Sequence, residues 1–407
     1  MKYEISVSID SRLSAAPSGF GTRLPWIPAK LGCGRQGKLV LAVEGRSLVD
    51  GNSRVLVLNP GGTTTKLGIY TKDGAEWVHT ILHGDEEIAR FRGKPMLARL
   101  DYRAGLIEEA IAEAGYGAAG FAAVAGRGGL LPPLNCGTYL VDDAMVEELR
   151  QARRGEHASN LGALLALRFA HAAGVNAYIV DPVTVDEWQP RARPTGSPLV
   201  ERISTSHALN TKAVARRYAR ELGHVYQELR LVVAHMGSGV TVSAHENGRM
   251  IDSNSLGEGP FGVDRSGGLP ARAIIKLCFC GEYTEAQLDH HVFGDGGLFA
   301  YLGTRDLIEV ERRIDAGDHE AATIFDAMVY QIAKEAGAMA VVLKGKVDAV
   351  LLTGGIAHSE RVVRLLCDYL GWIAPITVYP GENELQALAE GVFRVLSGEE
   401  QAMRLGT

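Results

Sequence analysis

The feature that most constrains the fold is a pattern that occurs twice along the chain. A short β-branched run, RVLVLN, stops at a Pro-Gly-Gly turn and is followed by a second strand, TTTKLGIYT. The segment ELRLVVAHMGSGVTVSAHENGRMID has the same order of strand, glycine turn and strand. Asn59 and His235 end the first strand of each copy, and Gly61 and Gly237 follow two residues later. The repeat predicts two copies of one β-rich α/β unit.

Further strands and helices accompany each copy of this pattern. Apolar runs predict buried strands at FAAVAG, AYIVD, DAVLLTGG and ITVYP, and Asn247-Gly248 predicts the tip of a tight hairpin. Helical patterns begin at Ile356 and at about Asn383, and others lie near 103–115, 158–173, 270–280, 304–315 and 318–344. Strands alternating with helices in two similar halves predict an α/β protein with a cleft between its domains.

Composition excludes several classes of function. The chain of 407 residues has a formal net charge of −6, which does not favour binding to nucleic acid or to an anionic membrane surface. No apolar run approaches the ~18 residues that span a bilayer. Its 49 glycines, with only 15 prolines, indicate many tight turns. Five scattered cysteines do not form a disulfide framework, and we expect Cys278 and Cys280 to be buried thiols.

Glycine-rich turns follow three of the predicted strands. They are NPGGTTTK at 59–66, HMGSGVT at 235–241 and TGGIAHS at 353–359. Glycines after a strand let the backbone approach a ligand, and successive N–H groups can bind an anion. None of the three is a Walker P-loop or the dinucleotide fingerprint G-x-G-x-x-G. Each one alone is typical of a tight turn, but three together favour a bound nucleotide.

These motifs resemble those of the butyrate kinases in the acetokinase family, within the sugar kinase/Hsp70/actin superfamily. The resemblance also includes GEGPFGVDRSGGLP, KLCFCGEYT and VYPGENELQALAEG, and it extends from about Arg54 to near Leu396. It implies two similar α/β domains of the actin-like ATPase (ribonuclease H-like) type with an active-site cleft between them. Two departures are Gly62, where the family usually has Ser or Thr, and Ser206, where relatives usually have Phe.

The resemblance also implies domain boundaries. Residues 54–183 plus about 380–400 would form domain I, and 184–379 would form the nucleotide-binding domain II. Residues 1–53 find no counterpart, and we expect a poorly ordered extension there. A transit peptide is an alternative that Glu4 and Asp10 disfavour, and a start codon assigned too early is another.

Catalytic roles follow from the resemblance for four residues. Arg127 and Arg265 would flank the phosphoryl group and the substrate carboxylate, since a planar guanidinium suits bidentate contact with either. His207 would donate to the transferred phosphoryl group. Asp181 would orient metal-bound water or substrate, because a carboxylic acid is already ionised at neutral pH and needs no general base. We interpret the nearby Asp186 as a helix-start residue.

Nucleotide and metal contacts are implied in the same way. Asn59 and Glu384 would hold Mg²⁺, Glu384 through water, with Glu382 as the fallback. A turn-capping role for His235 is as well supported as contact with ATP. The residues implied to bind the nucleotide are Asn59, Thr63, Lys66, His235, Gly237, Ser238, Gly239, Gly354, Gly355 and Ile356.

The sequence therefore predicts a carboxylate kinase that transfers the ATP γ-phosphoryl group reversibly to butyrate or a similar short or branched fatty acid, giving an acyl phosphate and ADP. Acetate or propionate is an alternative substrate, because an apolar pocket discriminates one methylene by only about 1–3 kcal/mol. A non-catalytic ATP-binding module of the actin-like type is the alternative from another class. A sugar kinase is disfavoured because it would need a base facing a hydroxyl. We expect Mg²⁺ with ATP, a homo-oligomer, and a cytoplasmic protein without nucleic-acid or membrane partners.

Overall fold

The computed structural model describes residues 53–117 and 120–406. The expected N-terminal extension and Cys33 therefore lie outside the described residues, apart from Ser53. The described chain divides into two compact units. The first unit contains residues 53–132, 136–183 and 383–406, and the second contains residues 133–135 and 184–382.

The strands and helices of the described chain are numbered in order. The strands are β1 Arg54–Pro60, β2 Thr64–Thr71, β3 Gly74–Leu82, β4 Phe121–Arg127, β5 Thr138–Leu140, β6 Asn176–Val180, β7 Leu231–Met236, β8 Val240–Glu246, β9 Arg249–Ser253, β10 Ala349–Gly354 and β11 Ile376–Pro380. The helices are α1 Asp85–Ala89, α2 Leu100–Glu113, α3 Asp143–Gln151, α4 Asn160–Ala173, α5 Ala208–Glu221, α6 Ala271–Cys278, α7 Glu285–Phe293, α8 Gly297–Leu302, α9 Leu307–Asp315, α10 His319–Val342, α11 Glu360–Leu370 and α12 Glu384–Leu396. Short 3₁₀ helices cover Met96–Arg99, Pro190–Ala192, Tyr226–Glu228 and Gly355–His358.

The first unit is built on a six-stranded sheet in the order β3-β2-β1-β4-β6-β5. Strands β1, β4 and β6 are parallel, whereas β2 and β3 form an antiparallel meander at one edge and β5 is antiparallel to β6. Helices α4 and α12 both pack against β1, and its residues from Val55 to Leu58 are fully buried. A continuous apolar strand of this kind is typical of a parallel sheet covered by helices.

The second unit is built on a five-stranded sheet in the order β11-β10-β7-β8-β9. Strands β7, β10 and β11 are parallel, and β8 and β9 form the antiparallel meander. Helix α10 packs against β7, β8 and β9, and α5 packs against β7 and β10. Asn247 and Gly248 both have positive φ, 54° and 74°, as a type I′ hairpin turn requires.

The two sheets share one topology, as the sequence repeat predicts. Strands β1, β2, β3, β4 and β6 of the first sheet correspond in order and direction to β7, β8, β9, β10 and β11 of the second. Asn59 and His235 accordingly lie at the ends of equivalent strands, β1 and β7. The first sheet differs by the short additional strand β5 at its edge.

Three local predictions are wrong. Cys278 and Cys280 are exposed, because neither α6, which ends at Cys278, nor the segment 279–284 that follows it contains a buried residue. Asp186 does not begin a helix; its carboxylate instead pairs with both terminal nitrogens of Arg193 at 2.7 Å. The helix expected from Ile356 is a 3₁₀ turn, and α11 begins only after the cap at Ser359.

No helix among the described residues is long and apolar enough to cross a bilayer.

Candidate functional site

One carboxylate joins two strand ends in the first unit. Glu384, the first residue of α12, accepts a hydrogen bond from Asn59 Nδ2 at 2.6 Å through Oε2, and its Oε1 pairs with Nη1 of Arg127. Asn59 lies near the end of β1 and Arg127 ends the adjacent strand β4. The Arg127 and Glu384 side chains are only 9% and 14% exposed, so little water screens this ion pair. The fold thus brings Asn59 and Glu384, the two residues implied to hold Mg²⁺, together with the guanidinium of Arg127.

The backbone on both sides of Arg127 is packed too closely for side chains. A Cβ on Gly126 would lie 2.1 Å from the carbonyl oxygen of Gly162 in α4, and a Cβ on Gly128 would lie 2.5 Å from Pro182 Cβ. A Cβ on Gly129 would meet Asn160, whose Oδ1 accepts a hydrogen bond from the N–H of Leu130. The glycines of AGRGG therefore let α4 approach the end of β4 and fix the position of the arginine.

Asp181 directly follows β6 and is fully buried. Its φ is +39°, a left-handed conformation that Asp tolerates better than most residues. Its Oδ1 accepts a hydrogen bond from the N–H of Gly137 at 2.7 Å, and its own N–H donates to the Gly137 carbonyl at 3.0 Å. The carboxylate thus orders the segment that enters β5.

The first glycine turn is held from beneath by a buried arginine that the sequence analysis did not identify. Arg103 of α2 is 2% exposed and donates to the carbonyls of Gly62 and Thr64, at 3.1 and 3.3 Å. Burial, with a smaller contribution from nearby Arg99, lowers the pKa of Arg103 to about 10, so the guanidinium stays charged at neutral pH.

The upper side of this turn is open. Thr63 is exposed, and Lys66 is half-buried and paired with Asn59 across the β1–β2 ladder. A Cβ on Gly62 would meet nothing within 4 Å, so the turn has room for the Ser or Thr that the family usually carries there.

Two histidines stack in the second unit. The rings of His207, at the N-terminus of α5, and His235, in β7, are 4.1 Å apart between centroids and inclined by 18°. His207 Nδ1 bonds to Thr241 Oγ1 at 2.8 Å, and His235 Nδ1 bonds to Asn210 Oδ1 at 2.9 Å. Since an amide oxygen only accepts, we assign the proton of neutral His235 to Nδ1. Thr353 Oγ1 also donates to Asn210 Oδ1, at 3.2 Å.

His235 Nε2 is buried and has no hydrogen-bond partner among the described residues. The nearest carboxylate is that of Glu382, whose Oε1 lies 3.6 Å away. A Cβ on Gly237 would lie 3.4 Å from this carboxylate oxygen and 3.5 Å from His235 Nε2, so the glycine leaves this small space open. Glu382 therefore faces His235, whereas Glu384 faces Asn59 and Arg127.

The glycine turns of the second unit pack against one another. The Arg265 side chain lies over Gly239, where a Cβ would come within 2.8 Å of Arg265 Cδ. Ser238 Oγ donates to Asp264 Oδ2 at 3.4 Å. Gly354 has φ +92°, and a Cβ there would lie 2.3 Å from the Met236 carbonyl oxygen. Gly355, by contrast, has open space beside it, and the next residue, Ile356, is buried.

Sequence reasoning missed the residues that orient the histidines. Asn210 follows His207 by three residues, so the helical spacing of α5 was the signal that could have suggested a shared role. Thr241 lies within the HMGSGVT motif and Thr353 begins TGGIAHS, but only the β7–β10 pairing brings Thr353 beside His235.

The first-unit donor set fits a hydrated Mg²⁺ better than a directly ligated metal. No group of three or more His, Cys, Asp or Glu side chains among residues 53–117 and 120–406 is placed to hold an ion. Mg²⁺ usually keeps several waters and binds through one or two carboxylates together with substrate phosphates. Each Glu384 oxygen accepts one protein donor and keeps a further lone pair for a metal-bound water.

Comparisons with known proteins agree with this fold. Residues 200–394 match the family model described as the acetokinase family. The acetate kinase of Porphyromonas gingivalis is similar over 84% of this chain and 100% of its own, with a TM-score of 0.70 at 18% identity. A propionate kinase from Francisella tularensis covers 83% of this chain and 98% of its own, with a TM-score of 0.65 at 16% identity. The Entamoeba histolytica acetate kinase has the same coverage, a TM-score of 0.66 and 15% identity.

These similarities confirm the predicted fold class, an α/β protein with two similar domains of the actin-like ATPase type. Residues 200–394 are thus similar to the acetokinase family, and 83–84% of the chain shares its fold with the acetate and propionate kinases that it matches.

Proposed function

We propose that this protein is a carboxylate kinase of the acetokinase type, which transfers the γ-phosphoryl group of Mg-ATP to a short-chain fatty acid. The observation that carries the proposal is the contact of Glu384 with both Asn59 and Arg127. It places a magnesium-compatible carboxylate beside a guanidinium that suits a phosphoryl or carboxylate group. Butyrate is the proposed acid because the long motifs resemble butyrate kinases, although acetate and propionate belong to the same test.

The first unit supplies charge of both signs. Glu384 neutralises Arg127. Glu384, through water, and the Asn59 amide would hold the Mg²⁺ that accompanies ATP, and the ion would supply positive charge to the phosphates. Arg127 would contact the carboxylate of the acid or the transferred group. Lys66, beside Asn59 on β2, adds a further cation for the phosphates.

The second unit supplies hydrogen-bond donors and acceptors for the nucleotide. Thr241 fixes the ring of His207, and a fixed imidazole donor costs no reorganisation when charge develops on the transferred phosphoryl oxygens. Arg265, held over Gly239, would neutralise the same oxygens. The backbone of Gly237, Ser238 and Gly239 would contact the phosphates. The open space at Gly355, beside buried Ile356, would take the adenosine.

The reaction needs no general base. An aliphatic carboxylic acid is ionised at neutral pH, so a carboxylate oxygen attacks the γ-phosphorus directly. The new carboxyl O–P bond forms while the bond from the γ-phosphorus to the bridging oxygen breaks, and ADP leaves with that electron pair. Asp181 accordingly has no proton to abstract, and its role would be to orient metal-bound water or the substrate. Its Oδ1 accepts a hydrogen bond from the N–H of Gly137.

The test is trapping of the acyl phosphate with hydroxylamine. Purified full-length protein is incubated with Mg-ATP and, in parallel, acetate, propionate, butyrate, isobutyrate or valerate. Glu384→Gln is compared with Glu390→Gln, the same substitution on the same helix. We expect product to peak at four or five carbons, to disappear in Glu384→Gln and to persist in Glu390→Gln.

Other outcomes separate the alternatives. A peak at two or three carbons would retain the carboxylate kinase and replace butyrate with acetate or propionate. ATP binding without product from any acid would refute the kinase and leave a nucleotide-binding module. Equal loss of product in the two glutamate variants would refute the role given to Glu384.

A further inference from the structure

A small cavity lies beneath the first glycine turn, in the first unit and apart from the residues assigned to the proposed reaction. It has a volume of about 10 Å³ and is lined by His83, Glu87, Ile88, Phe91, Arg99, Tyr102 and Arg103. That volume is about what one water molecule needs. The lining carries a net positive charge, since it contains two guanidinium groups against the single carboxylate of Glu87.

Three nitrogens of this lining are buried without partners. Nε of Arg99, Nε of Arg103 and Nδ1 of His83 have no hydrogen-bond acceptor among the described residues. His83 is 7% exposed and Arg103 is 2% exposed, so neither side chain can satisfy these atoms with bulk water. Buried N–H groups without acceptors are rare, and an ion or water that is bound in the cavity accounts for them.

The hydrogen-bond network makes the histidine nitrogen a donor as well. Thr65 Oγ1 accepts from Arg103 Nη1 at 3.2 Å and lies 2.9 Å from His83 Nε2. The only acceptor for the Thr65 hydroxyl proton among the described residues is therefore His83 Nε2, which assigns the proton of neutral His83 to Nδ1. Burial, followed by the charges of Arg103 and Arg99, lowers the pKa of His83, in agreement with a neutral ring.

Besides these three donors, the Tyr102 hydroxyl of the same lining is buried without a hydrogen-bond partner among the described residues. A water molecule accepts only about two hydrogen bonds, so the excess of donors favours an anion. Glu87 does not serve as the counter-ion: its carboxylate accepts from the Gly84 N–H at 2.8 Å and forms no ion pair with either arginine within the described chain. We propose that this cavity binds a single monatomic anion, chloride under ordinary conditions, which bridges Arg99, Arg103 and His83.

The bound halide would tie α2 to the turn that carries Asn59 and Lys66. Arg103 holds the carbonyls of Gly62 and Thr64, and the backbone N–H of His83 donates to the Thr63 carbonyl at 2.9 Å. Neutralising the buried guanidinium removes repulsion between Arg99 and Arg103, so halide binding stabilises the folded protein. This proposal does not depend on the kinase activity.

The test compares thermal unfolding in sodium gluconate, chloride, bromide and sulfate at one ionic strength. We expect chloride and bromide to raise the Tm by on the order of 2 °C or more over gluconate, with saturation. Arg99→Gln should abolish this increment. Arg92→Gln, which removes the same charge from an exposed position outside the cavity, should keep it.

Crystals of the wild-type protein soaked in sodium bromide provide a second measurement that needs no variant. An anomalous peak between Arg99, Arg103 and His83 is the expected result. A water at that position without anomalous signal would overturn the proposal, and so would equal Tm values in gluconate and halide. Stronger saturable stabilisation by sulfate would refute the halide in favour of an oxyanion, and an undiminished halide response in Arg99→Gln would refute the site.

Discussion

Replacement of Gly162 by alanine is the sharpest test of how the fold positions Arg127. Gly162 lies in the first turn of α4, and a Cβ there would be 2.3 Å from the carbonyl oxygen of Arg127 and 2.8 Å from its nitrogen. Both neighbours are backbone atoms of the central strand β4, so neither can rotate away. The start of α4 and the end of β4 must move apart by about 1 Å to restore an ordinary contact. This displaces the backbone of Arg127 and with it the guanidinium.

The magnitude follows from two opposing terms. Alanine in a helix interior is favoured over glycine by roughly 0.5–1 kcal/mol, whereas overpacking costs about 1–3 kcal/mol. Gly105 in α2 and Gly337 in α10 have nothing within 4 Å of an added Cβ and are matched controls. Because both variants gain the same helix propensity, Gly162→Ala should be less stable than Gly105→Ala by the overpacking cost of about 1–3 kcal/mol, or on the order of 2–10 °C in Tm.

The assay is thermal and urea unfolding of the three variants, with acyl phosphate trapping on the same samples. We expect Gly162→Ala to lose stability and activity, and the two controls to gain slightly in stability and to keep their activity. A Gly162→Ala protein as stable as Gly105→Ala would refute the argument that the contact between α4 and β4 leaves no room. Lost stability with full activity would refute the link to Arg127.

Three further predictions concern charged groups and histidines. Glu384→Gln leaves the buried guanidinium of Arg127 without its carboxylate and should lower the free energy of unfolding in urea by about 3 kcal/mol. Adding Arg127→Met to the same chain should recover part of this loss, and no recovery would contradict the ion pair. His207→Gln should lower kcat for acyl phosphate formation by about 10²-fold with little change in KM, and an unchanged kcat would remove His207 from the reaction. Burial holds the pKa of His245 well below its ordinary value, so below about pH 6.5 the unfolded chain binds a proton that the folded chain does not. The free energy of unfolding should therefore fall as the pH drops below about 6.5, by up to about 1.4 kcal/mol per pH unit. Unfolding measured from pH 7.5 to 5 should show that His245→Gln loses this part of the pH dependence.

Local sequence patterns predicted the strands, the long helices and the repeat because these depend on the periodicity of neighbouring residues. The short β5, the exposed face of α6 and the Asp186–Arg193 pair were not found, because each depends on what packs nearby. Cys278 and Cys280 show the limit of local patterns, because an apolar stretch is equally typical of a core helix and of an exposed one.

The sequence by itself determined the two α/β units, the three glycine turns and the residue types that suit a phosphoryl group. Only the tertiary structure decided which side chains meet. Asn59 and Glu384 are 325 positions apart, and they contact each other because α12 returns to the first sheet and packs against β1. Arg103 reaches the first turn because α2 passes beneath it. Such pairings depend on long-range packing of apolar faces, which brings the polar ends of elements together across sequence separations that no local pattern spans.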